Sequence, residues 1–300
     1  MTTDKKKLNL FGTVLTHSAP TSNYRGESEE NRTVIQRITK ENKEYAIISP
    51  EAMRNALRET LTTYGLPMNR SRLHQEDQLA VKFQDFPDGK AWADDFLFGF
   101  MVADSKELKK KKGADAEGKR DSILRMNMAV ALQPYRFNAT FHQSPKNVDS
   151  PFQNSGTSAL LHREVSETAF QYPFALSMAD CHAHVKGPEW AGALVKAIGE
   201  LNNVAGGHAR SYFEFAPRSV VVRLTTSLVA GFKTYGFDVE GNFPELDRLK
   251  EGDLPPGEFW VGGELARLRG PELTKKGVHV HDNPQELLKL VAKEAGLVKQ

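Results

Sequence analysis

The sequence predicts an α+β fold. Four segments alternate apolar and polar residues with the period of two that is typical of strands, and two segments repeat apolar residues with the period of a helix. They follow one another in the order strand, helix, strand, strand, helix, strand. The strand-like segments are far apart in the sequence, so the predicted sheet is connected by long segments.

The four predicted strands are each defined by their apolar positions. The first strand is "LNLFGTVLT" (residues 8–16) and the fourth is "SVVVRLTT" (residues 219–226). The second, "SILRMNMAVAL", predicts one continuous apolar face that comprises Leu124, Met126, Met128, Val130 and Leu132. The third, "TAFQYPFALSM", predicts an apolar face that comprises Phe170, Tyr172, Phe174, Leu176 and Met178. Pro173 lacks a backbone N–H and therefore indicates that the third strand lies at an edge of the sheet.

The two principal helices have recognisable ends. Ser49 as cap and Pro50 in the first turn begin a helix over residues 49–64, with one apolar face that comprises Met53, Ala56, Leu57, Thr60, Leu61 and Tyr64. Pro188 begins the second helix, which Gly206–Gly207 are expected to end; its apolar face comprises Ala191, Leu194, Val195, Ile198 and Leu201. Asn283 and Pro284 begin a further helix near the C-terminus. A hairpin of "TVIQRI" and "YAIIS" is predicted before the first helix.

The order of the six segments is the split βαβ pattern of a ferredoxin-like fold. This assignment requires two long insertions, at residues 65–120 and 137–166. Connections of that length in a compact domain are commonly functional. Helices are expected to cover one face of the sheet, and the other face is expected to remain open for a ligand, as in RNA-recognition modules.

Composition narrows the class of protein. The chain has 300 residues, 39% of them hydrophobic, and a single cysteine, so a disulfide framework is excluded and a reducing cytoplasm is expected. We find no signal segment and no apolar run that could cross a bilayer. The net charge of +2 is too small to indicate nucleic-acid binding by itself. The lysine run at residues 109–112 is typical of a solvated, disordered loop.

Two arginines one turn apart form the first candidate site. Arg54 and Arg58 lie at the edge of the apolar stripe of the first helix, where like charges four residues apart cost a helix about 0.2–0.5 kcal/mol. An external anion would turn that cost into a gain. The alternative is that Glu51 pairs with Arg54 and that Arg58 is solvated.

Two loops carry groups that suit phosphate. The loop after the first strand, "THSAPTSNYRGESEEN", contains Tyr24 and Arg25 at its centre. The loop after the second helix, "NNVAGGHARSYFEFAPRS", combines two glycines, whose backbone N–H groups are accessible, with His208, Arg210 and Arg218. Exposed amides and guanidinium groups bind phosphates well, although a glycine pair after a helix is also an ordinary helix end.

These segments together resemble a known family. The segments "THSAPTSNYRGE", "IISPEAMRNALRE", "DDFLFGFM", "RMNMAVALQPYRFNATFHQ" and "NNVAGGHARSYFEFAP" occur in an order and at spacings similar to those of the RNA-binding backbone subunit of the type I CRISPR Cascade, autoregulator (DevR) branch. The resemblance spans roughly residues 8 to 226. It implies a non-catalytic subunit without cofactor or metal. Copies of that subunit polymerise along the CRISPR RNA, contact other Cascade subunits and present the guide to a target DNA strand.

The resemblance also implies domains and site residues. A ferredoxin-like (RRM-like) palm comprises residues 1–64, 121–136 and 167–300, residues 65–120 form the fingers, and residues 137–166 form a thumb. The implied RNA-binding residues are Asn23, Arg25, Ser49, Arg54, Asn55, Arg58, Arg125, Gly206, Gly207, His208 and Arg210. The thumb of the family displaces a guide base, and the candidates for that wedge are Phe141, His142, Phe152 and Arg163.

Three other functions are weighed against guide binding. Related backbone subunits of type III complexes cut RNA through an Asp in the loop after the first strand, but residues 17–48 contain no Asp. The adjacent carboxylates Asp94 and Asp95 could bind a divalent ion, but neighbouring side chains on a strand point to opposite sides. We therefore expect these two residues in a solvated acidic turn.

Zinc binding and DNA binding are the remaining alternatives. A zinc site could use "DCHAH", with Cys181, His182 and His184, although zinc normally needs a second ligand pair such as His279 and His281. A DNA-binding regulator is disfavoured, because no short turn and recognition helix follow the basic helix.

Overall fold

The computed structural model describes residues 5–22, 24–29, 32–72, 81–103, 105–113, 117–143, 160–204, 213–250 and 252–298. The elements of the first half are β1 (Asn9–Thr16), β2 (Ala19–Thr21), β3 (Tyr24–Glu29), β4 (Arg32–Ile35), β5 (Arg37–Lys40), β6 (Lys43–Ile48), α1 (Pro50–Thr63), β7 (Arg70–Arg72), β8 (Val81–Phe83), α2 (Ala93–Phe98), β9 (Phe100–Met101), α3 (Ser105–Lys112), β10 (Lys119–Arg120), β11 (Arg125–Met126), β12 (Ala129–Ala131) and β13 (Ala139–Gln143). Those of the second half are β14 (Leu160–Glu164), β15 (Ser166–Thr168), β16 (Phe170–Ser177), α4 (Met178–Cys181), α5 (Gly187–Gly199), β17 (Pro217–Thr225), β18 (Phe259–Gly263), α6 (Glu264–Lys275), β19 (His279–His281) and α7 (Pro284–Glu294).

One mixed sheet organises the α+β fold. Within the described ranges its strands lie in the order β19-β18-β17-β1-β16-β12-β6-β5, and β11 also pairs with β16. The pairs β17–β1, β1–β16 and β16–β12 are antiparallel, whereas β18–β19 is parallel. The four predicted strands therefore lie side by side at the centre of the sheet.

The helices α1, α5 and α7 cover one face of the sheet. The apolar face predicted for the third strand is confirmed, because its five residues are all buried, and the apolar stripe of α5 is buried in the same core. Asn283 caps α7 by accepting a hydrogen bond from the backbone N–H of Glu286 at 3.0 Å. The helix α2 also packs into this core, where the rings of Phe96 and Trp190 meet edge to face at 5.5 Å.

The other face of the sheet is covered as well, so the expected open ligand face is wrong. Residues 226–250 and 252–258, between β17 and β18, form a strap that crosses this face together with α6. Its buried apolar residues include Phe232, Phe237, Phe243, Leu246, Leu249 and Leu254. An RNA strand cannot lie on this face as it does on an open RNA-recognition sheet.

Hydrogen bonds fix the strap to three successive strands. Thr13 Oγ1 donates to the carbonyl of Thr234 at 2.8 Å. The Gln171 side chain donates to the carbonyl of Phe237 at 3.1 Å and accepts from its N–H at 3.0 Å. The Tyr235 hydroxyl donates to the carbonyl of Met128 at 2.7 Å, in the gap between β11 and β12. The strap is thus part of the folded sheet.

The second predicted strand is interrupted. Its two parts, β11 and β12, both pair with β16, but the register shifts by one residue between them. Because side chains alternate, the extra residue exchanges the two faces, so Ala129 and Ala131 are buried while Met128 is half-buried. The predicted continuous apolar face is therefore wrong beyond Met126.

Pro173 is opposite this interruption, and its predicted edge position is wrong. It lies on β16, which has neighbours on both sides, and its carbonyl accepts from the N–H of Asn127 at 3.4 Å. The N and O atoms of one strand residue point to the same side. The missing N–H therefore faces the irregular pairing with β11 and β12, where the lost donor is tolerated.

Two further expectations need correction. Helix α5 ends at Gly199, not at Gly206–Gly207, because Asn202 already forms a β-bridge with Glu214. The lysine run belongs to the helix α3 and not to a loop; Lys111 and Glu107, one turn apart, form an ion pair at 2.8 Å. The hairpin before α1 is confirmed in part as β5–β6, with its turn at Glu41 and Asn42; residues 33–35 of its predicted first strand belong to β4, which pairs with β3 and β14. No helix in the described ranges has the length and apolar character needed to span a bilayer.

Candidate nucleic-acid interface

The start of α1 has the predicted local structure. Ser49 caps the helix, and its Oγ accepts from the N–H of Ala52 at 3.2 Å. The predicted stripe is buried, except for Tyr64, which is half-buried after the end of the helix; its buried members are Met53, Ala56, Leu57, Thr60 and Leu61. The flank that carries Arg54 and Arg58 therefore has a fixed position at the edge of the core.

Arg54 is partly buried, and its guanidinium group is incompletely hydrogen-bonded. Nη2 donates to the carbonyl of Leu124 at 3.3 Å, whereas Nε is buried without a partner among the described residues. Burial lowers the pKa of Arg54, Glu51 raises that pKa in part, and the positive charge of Arg125 lowers it further. Folding thus holds this cation in a site that disfavours its charge.

Arg58 is more deeply buried, so the alternative of a solvated Arg58 is wrong. Its side chain is 14% exposed, and its Cζ lies 4.4 Å from the centroid of the Phe98 ring. Nη1 donates to Asn55 Oδ1 at 3.4 Å, and Nε has no hydrogen-bond partner within the described part of the chain. Burial lowers the pKa of Arg58 to about 10, and repulsion from Arg70 contributes in the same direction.

One carboxylate lies near Arg58 but is occupied elsewhere. Arg58 Nε is 4.0 Å from Asp94 Oδ2, beyond hydrogen-bond distance. Asp94 accepts from the backbone N–H of Asn69 at 2.8 Å and of Arg70 at 3.0 Å. Asp94 therefore offsets the charge of Arg58 only in part, and no described residue accepts a hydrogen bond from Arg58 Nε.

The solvated acidic turn expected at Asp94 and Asp95 is wrong. Both residues lie in α2 and are buried. Asp95 accepts from the Asn69 side chain and from the N–H of Asp88, each at 2.9 Å. Burial raises the pKa of Asp95, and these hydrogen bonds partly offset that effect. The two carboxylates fix the segment around Asn69 to α2.

A cleft of about 500 Å³ adjoins Arg58. One side is the second half of α1, and the others are the β7–β8 hairpin and the residues after α5. Its described lining is largely polar and consists of Asn55, Ala56, Arg58, Glu59, Thr60, Thr62, Thr63, Tyr64, Arg70, Ser71, Val81, Glu200, Asn202 and Asn203. The cleft falls within the size range of small-molecule sites.

The structure describes only some of the other predicted RNA-binding residues. Arg125 is exposed on β11 and lies close enough to Arg54 to affect its pKa, and Asn55 lines the cleft. For Arg25 only its position on β3 is described. The remaining predicted RNA-binding residues lie outside the described residues: Asn23, Gly206, Gly207, His208 and Arg210.

The predicted thumb is a β-hairpin at its base. The strands β13 and β14 pair antiparallel, and β14 continues into a small sheet with β4 and β3. Phe141 is 57% exposed and its ring meets that of His162 edge to face at 4.8 Å, while Arg163 is half-buried. His142 is described only as part of β13, and Phe152 lies outside the described residues.

A buried carboxylate joins this hairpin to the rest of the protein. Glu164, at the end of β14, accepts from the Tyr135 hydroxyl and from the N–H of Ile35, each at 2.6 Å. Arg37 Cζ lies 4.6 Å from the centroid of the Tyr135 ring. These contacts fix the base of the predicted thumb against the β5–β6 hairpin.

Three residues of the possible zinc site are buried or stack on aromatic rings. Cys181 is buried, and burial raises the pKa of its thiol to about 12, which opposes metal ligation. His184 stacks on Trp190 at 5.2 Å, and His279 stacks on Trp260 at 4.0 Å. Among the described residues, no group of three or more His, Cys, Asp or Glu is placed to hold a metal ion.

Several residues of this region are missed by reasoning from the sequence. Arg70, Asp94 and Phe98 all contact or influence Arg58, but they come from the predicted insertion. No motif or spacing connects them to α1.

The comparisons with known proteins agree with this picture. No protein-family model matches the chain. A protein of Myxococcus xanthus (strain DK1622) named "CRISPR-associated protein Cas7/Cst2/DevR" is 28% identical over 278 residues, which cover 88% of this chain and 89% of that protein.

Solved structures show the same fold at low sequence identity. A chain of a "CRISPR RNA-guided surveillance complex, pre-nicking" has a TM-score of 0.61 and 11% identity, and covers 96% of this chain and 100% of that chain. A chain of a "CRISPR RNA-guided surveillance complex" has a TM-score of 0.56 and 13% identity, with coverage of 96% and 99%. The predicted resemblance is confirmed by the Myxococcus xanthus relative, whose name includes DevR and which aligns with most of this chain.

Proposed function

We propose that this chain is a non-catalytic backbone subunit of a CRISPR RNA-guided complex and that it binds the phosphate backbone of the guide RNA along α1. One observation carries the proposal: Arg54 and Arg58 are partly buried cations on one flank, and both Nε groups lack a hydrogen-bond partner among the described residues. A polyanion that runs along this flank supplies both the missing charge and the missing acceptors.

The physical argument is one of compensation. A buried polar N–H without an acceptor costs about 1–3 kcal/mol, and a partly buried cation without a close anion adds to this cost. Phosphate oxygens accept charge-assisted hydrogen bonds from guanidinium groups, often in pairs. Arg125 and Arg70 extend the positive region on either side of the pair. The strain built into the free protein is thus relieved by guide RNA.

The topology supports a ferredoxin-like (RRM-like) palm. The strands β17, β1, β16 and β12 lie in the order fourth, first, third and second of the split βαβ unit, and each adjacent pair is antiparallel. On this basis residues 1–64, 121–136 and 167–300 form the palm, residues 65–120 the fingers and residues 137–166 the thumb. The strap and α6 form a second apolar core on the other face of the sheet, and this second core distinguishes the palm from an open RNA-recognition sheet.

Exposed apolar residues on both insertions support the proposal that copies assemble along the guide. Phe83 and Met101 lie in the fingers and are 48% and 77% exposed, and Phe137 and Phe141 lie in the thumb and are 58% and 57% exposed. A contact between the fingers of one copy and the thumb of the next is heterologous and produces an open helical array. We expect the assembled guide to pair with a target DNA strand, with other subunits at its ends, in the cytoplasm.

The non-catalytic assignment rests on the sequence of the loop after β1. Residues 17–48 contain no Asp, the residue through which the related type III subunits cut RNA. Incubation of the purified chain with single-stranded RNA and Mg²⁺ tests this directly. Intact RNA is the expected result, and metal-dependent cleavage would overturn the assignment.

The variant that tests guide binding is Arg54→Ala with Arg58→Ala. We expect it to fold and to bind single-stranded RNA more weakly, because it loses two phosphate contacts. The slope of log affinity against log salt should fall by about 1.4, since each contact contributes about 0.7 on a single strand. Fluorescence anisotropy over a salt series measures the slope, and thermal unfolding checks the fold.

A matched control removes two positive charges elsewhere. Arg267 and Lys275 are exposed on α6, which packs on the opposite face of the sheet from α1. Arg267→Ala with Lys275→Ala should leave the salt slope unchanged. Equal slopes for the two double variants would show that only net charge matters and would refute the proposed site.

A further inference from the structure

The cleft beside Arg58 has two chemically different ends. Arg58 and Arg70 provide guanidinium donors at one end. Glu200, Asn202 and Asn203, which follow α5, lie at the other, together with the last turn of α1. A ligand that fits both ends must therefore be anionic on one side and must offer hydrogen-bond donors on the other.

The threonines of the α1 wall present acceptors to the cleft. Thr60 Oγ1 donates to the carbonyl of Ala56 at 3.1 Å, Thr62 Oγ1 to that of Arg58 at 2.8 Å, and Thr63 Oγ1 to that of Thr60 at 2.7 Å. Each hydroxyl has one hydrogen, so each of these oxygens can only accept from a ligand. The exposed hydroxyl groups of Thr62 and Thr63 thus act as acceptors on the wall, whereas the hydroxyl of Thr60 is buried.

The Tyr64 hydroxyl is committed in the same way. It donates to Glu200 Oε2 at 2.5 Å, and burial and this hydrogen bond raise the pKa of Tyr64, so the phenol remains protonated. Glu200 Oε1 lies 4.0 Å from Lys196 Nζ, beyond hydrogen-bond distance, and can accept from a ligand. The acceptor end therefore includes a carboxylate that repels a polyanion unless a donor faces it.

Asn203 has an unusual backbone at the rim. Its φ is 52°, and its N–H donates to the carbonyl of Phe213 at 3.1 Å. Among the described non-glycine residues with positive φ, the other two, Glu41 and Asn42, form the turn of the β5–β6 hairpin. A left-handed residue outside a tight turn is often part of a binding site. Here it places an amide at the acceptor end.

The described lining of the cleft provides little surface on which a nucleobase could stack. Recognition of single-stranded RNA bases generally uses stacking on aromatic rings or guanidinium planes. Tyr64 is the one aromatic residue among the described lining residues, and Lys196 Nζ lies 4.1 Å from its ring centroid and covers one face. The Arg58 guanidinium is already stacked over Phe98. Sugar and phosphate are therefore better ligands for this cleft than a base.

We propose that the cleft binds one ribose–phosphate unit of RNA, with the phosphate at Arg58 and Arg70 and the 2′-hydroxyl donating to the acceptor end formed by Glu200 and the α1 threonines. This inference rests on the proposed function and goes beyond it, because it assigns the choice of RNA over DNA to named residues. DNA has no 2′-hydroxyl, so its phosphate can still bind Arg58 and Arg70, but the hydrogen bond to the acceptor end is lost. The choice is independent of base sequence, as a guide-binding subunit requires.

The test compares three probes of the same mixed sequence: single-stranded RNA, DNA and 2′-fluoro-RNA. The fluoro analogue keeps the RNA sugar conformation but cannot donate. We expect the full chain to bind RNA about tenfold more tightly than either analogue, which corresponds to one charge-assisted hydrogen bond. The variant Glu200→Gln with Thr62→Val and Thr63→Val should reduce this preference to about twofold, since valine keeps the shape of threonine without its oxygen.

The outcomes separate this inference from the proposed function. A variant that weakens binding of all three probes equally, or that keeps the tenfold preference, would overturn the ribose assignment. Tight binding of RNA that depends on Arg54 and Arg58, but with no preference over 2′-fluoro-RNA, would overturn it as well and leave guide binding intact. If the wild-type chain binds no RNA at low salt, guide binding itself fails. Thermal unfolding of each variant confirms that the chain is folded.

Discussion

The arginines of α1 and those of β17 differ in their hydrogen-bond partners. On β17, Arg218 forms a two-point hydrogen bond with the carboxylate of Glu264. Arg223 donates Nε to Glu258 at 2.8 Å and Nη1 to the carbonyl of Ala230 at 2.7 Å. On α1, neither arginine has a carboxylate within hydrogen-bond distance among the described residues, and both Nε groups are unsatisfied.

The pKa shifts follow this difference in partners. The hydrogen bond to Glu264 raises the pKa of Arg218, whereas burial lowers the pKa of Arg58 to about 10. The arginines of β17 are thus paired within the chain, and those on the flank of α1 are not paired with a carboxylate among the described residues. If the proposed function is correct, stability and RNA binding depend on separate sets of arginines.

The largest expected effect on stability concerns Arg223. Its side chain is 8% exposed, and Arg223→Met leaves Glu258 without its partner and the carbonyl of Ala230 without its donor. Breaking a buried ion pair in this way costs about 3 kcal/mol of unfolding free energy. Chemical denaturation measures the loss, and RNA affinity at a temperature where the variant is folded should be unchanged. A loss below about 0.5 kcal/mol would show that Arg223 contributes little to stability, contrary to the role that its hydrogen bonds indicate.

The matching change on α1 should have the opposite profile. Arg54→Met keeps the apolar stem and removes a charge that burial disfavours, so the free energy of unfolding should change by less than about 1 kcal/mol. RNA affinity should fall about tenfold, because one charged phosphate contact is lost. Denaturation and anisotropy on the same sample give both values. A large loss of stability with unchanged RNA affinity would mean that Arg54 is structural, like Arg223.

The fold was predictable where the determinants are local. Ser49, Pro50 and the apolar stripe lie within one segment, so α1 could be located from its own residues. The break between β11 and β12 could not, because it depends on Pro173 on the neighbouring strand and on Tyr235 in the strap. The strap covers the sheet face that was expected to be open. It could not be predicted from the sequence, because its aromatic residues are separated by glycines and prolines and show no regular period.

The candidate site was predictable only in part for the same reason. Helical geometry places Arg54 and Arg58 on one flank, whatever surrounds them. Their environment is set by Phe98 and Asp94, which come from the first insertion and have no sequence relation to α1. The cleft likewise combines the end of α1 with residues that follow α5, such as Glu200 and Asn203, and nothing in the sequence relates these two segments.

The smallest expected effect concerns a third group of arginines, which pair at the surface. Arg269 on α6 donates to Glu272 and to Asp247, and the hydrogen bonds from Arg269 and Lys276 lower the pKa of Glu272 to about 2. Because the folded pKa is below the ordinary value, any contribution to stability is present above pH 4.5 and is lost as the pH falls through about 2. NMR titration of the Glu272 carboxyl group should give a midpoint near that value.

In Arg269→Ala the Glu272 midpoint should move up towards 4.5, while Lys276 still keeps it below that value. The free energy of unfolding at neutral pH should not change measurably, because solvent screens an exposed pair. RNA affinity should also be unchanged, since α6 packs in the second core, on the other side of the sheet from α1. A measurable loss of RNA binding in this variant would mean that the guide contacts both sides of the sheet. Arginines of the surface pairs would then have to be counted among the RNA-binding residues.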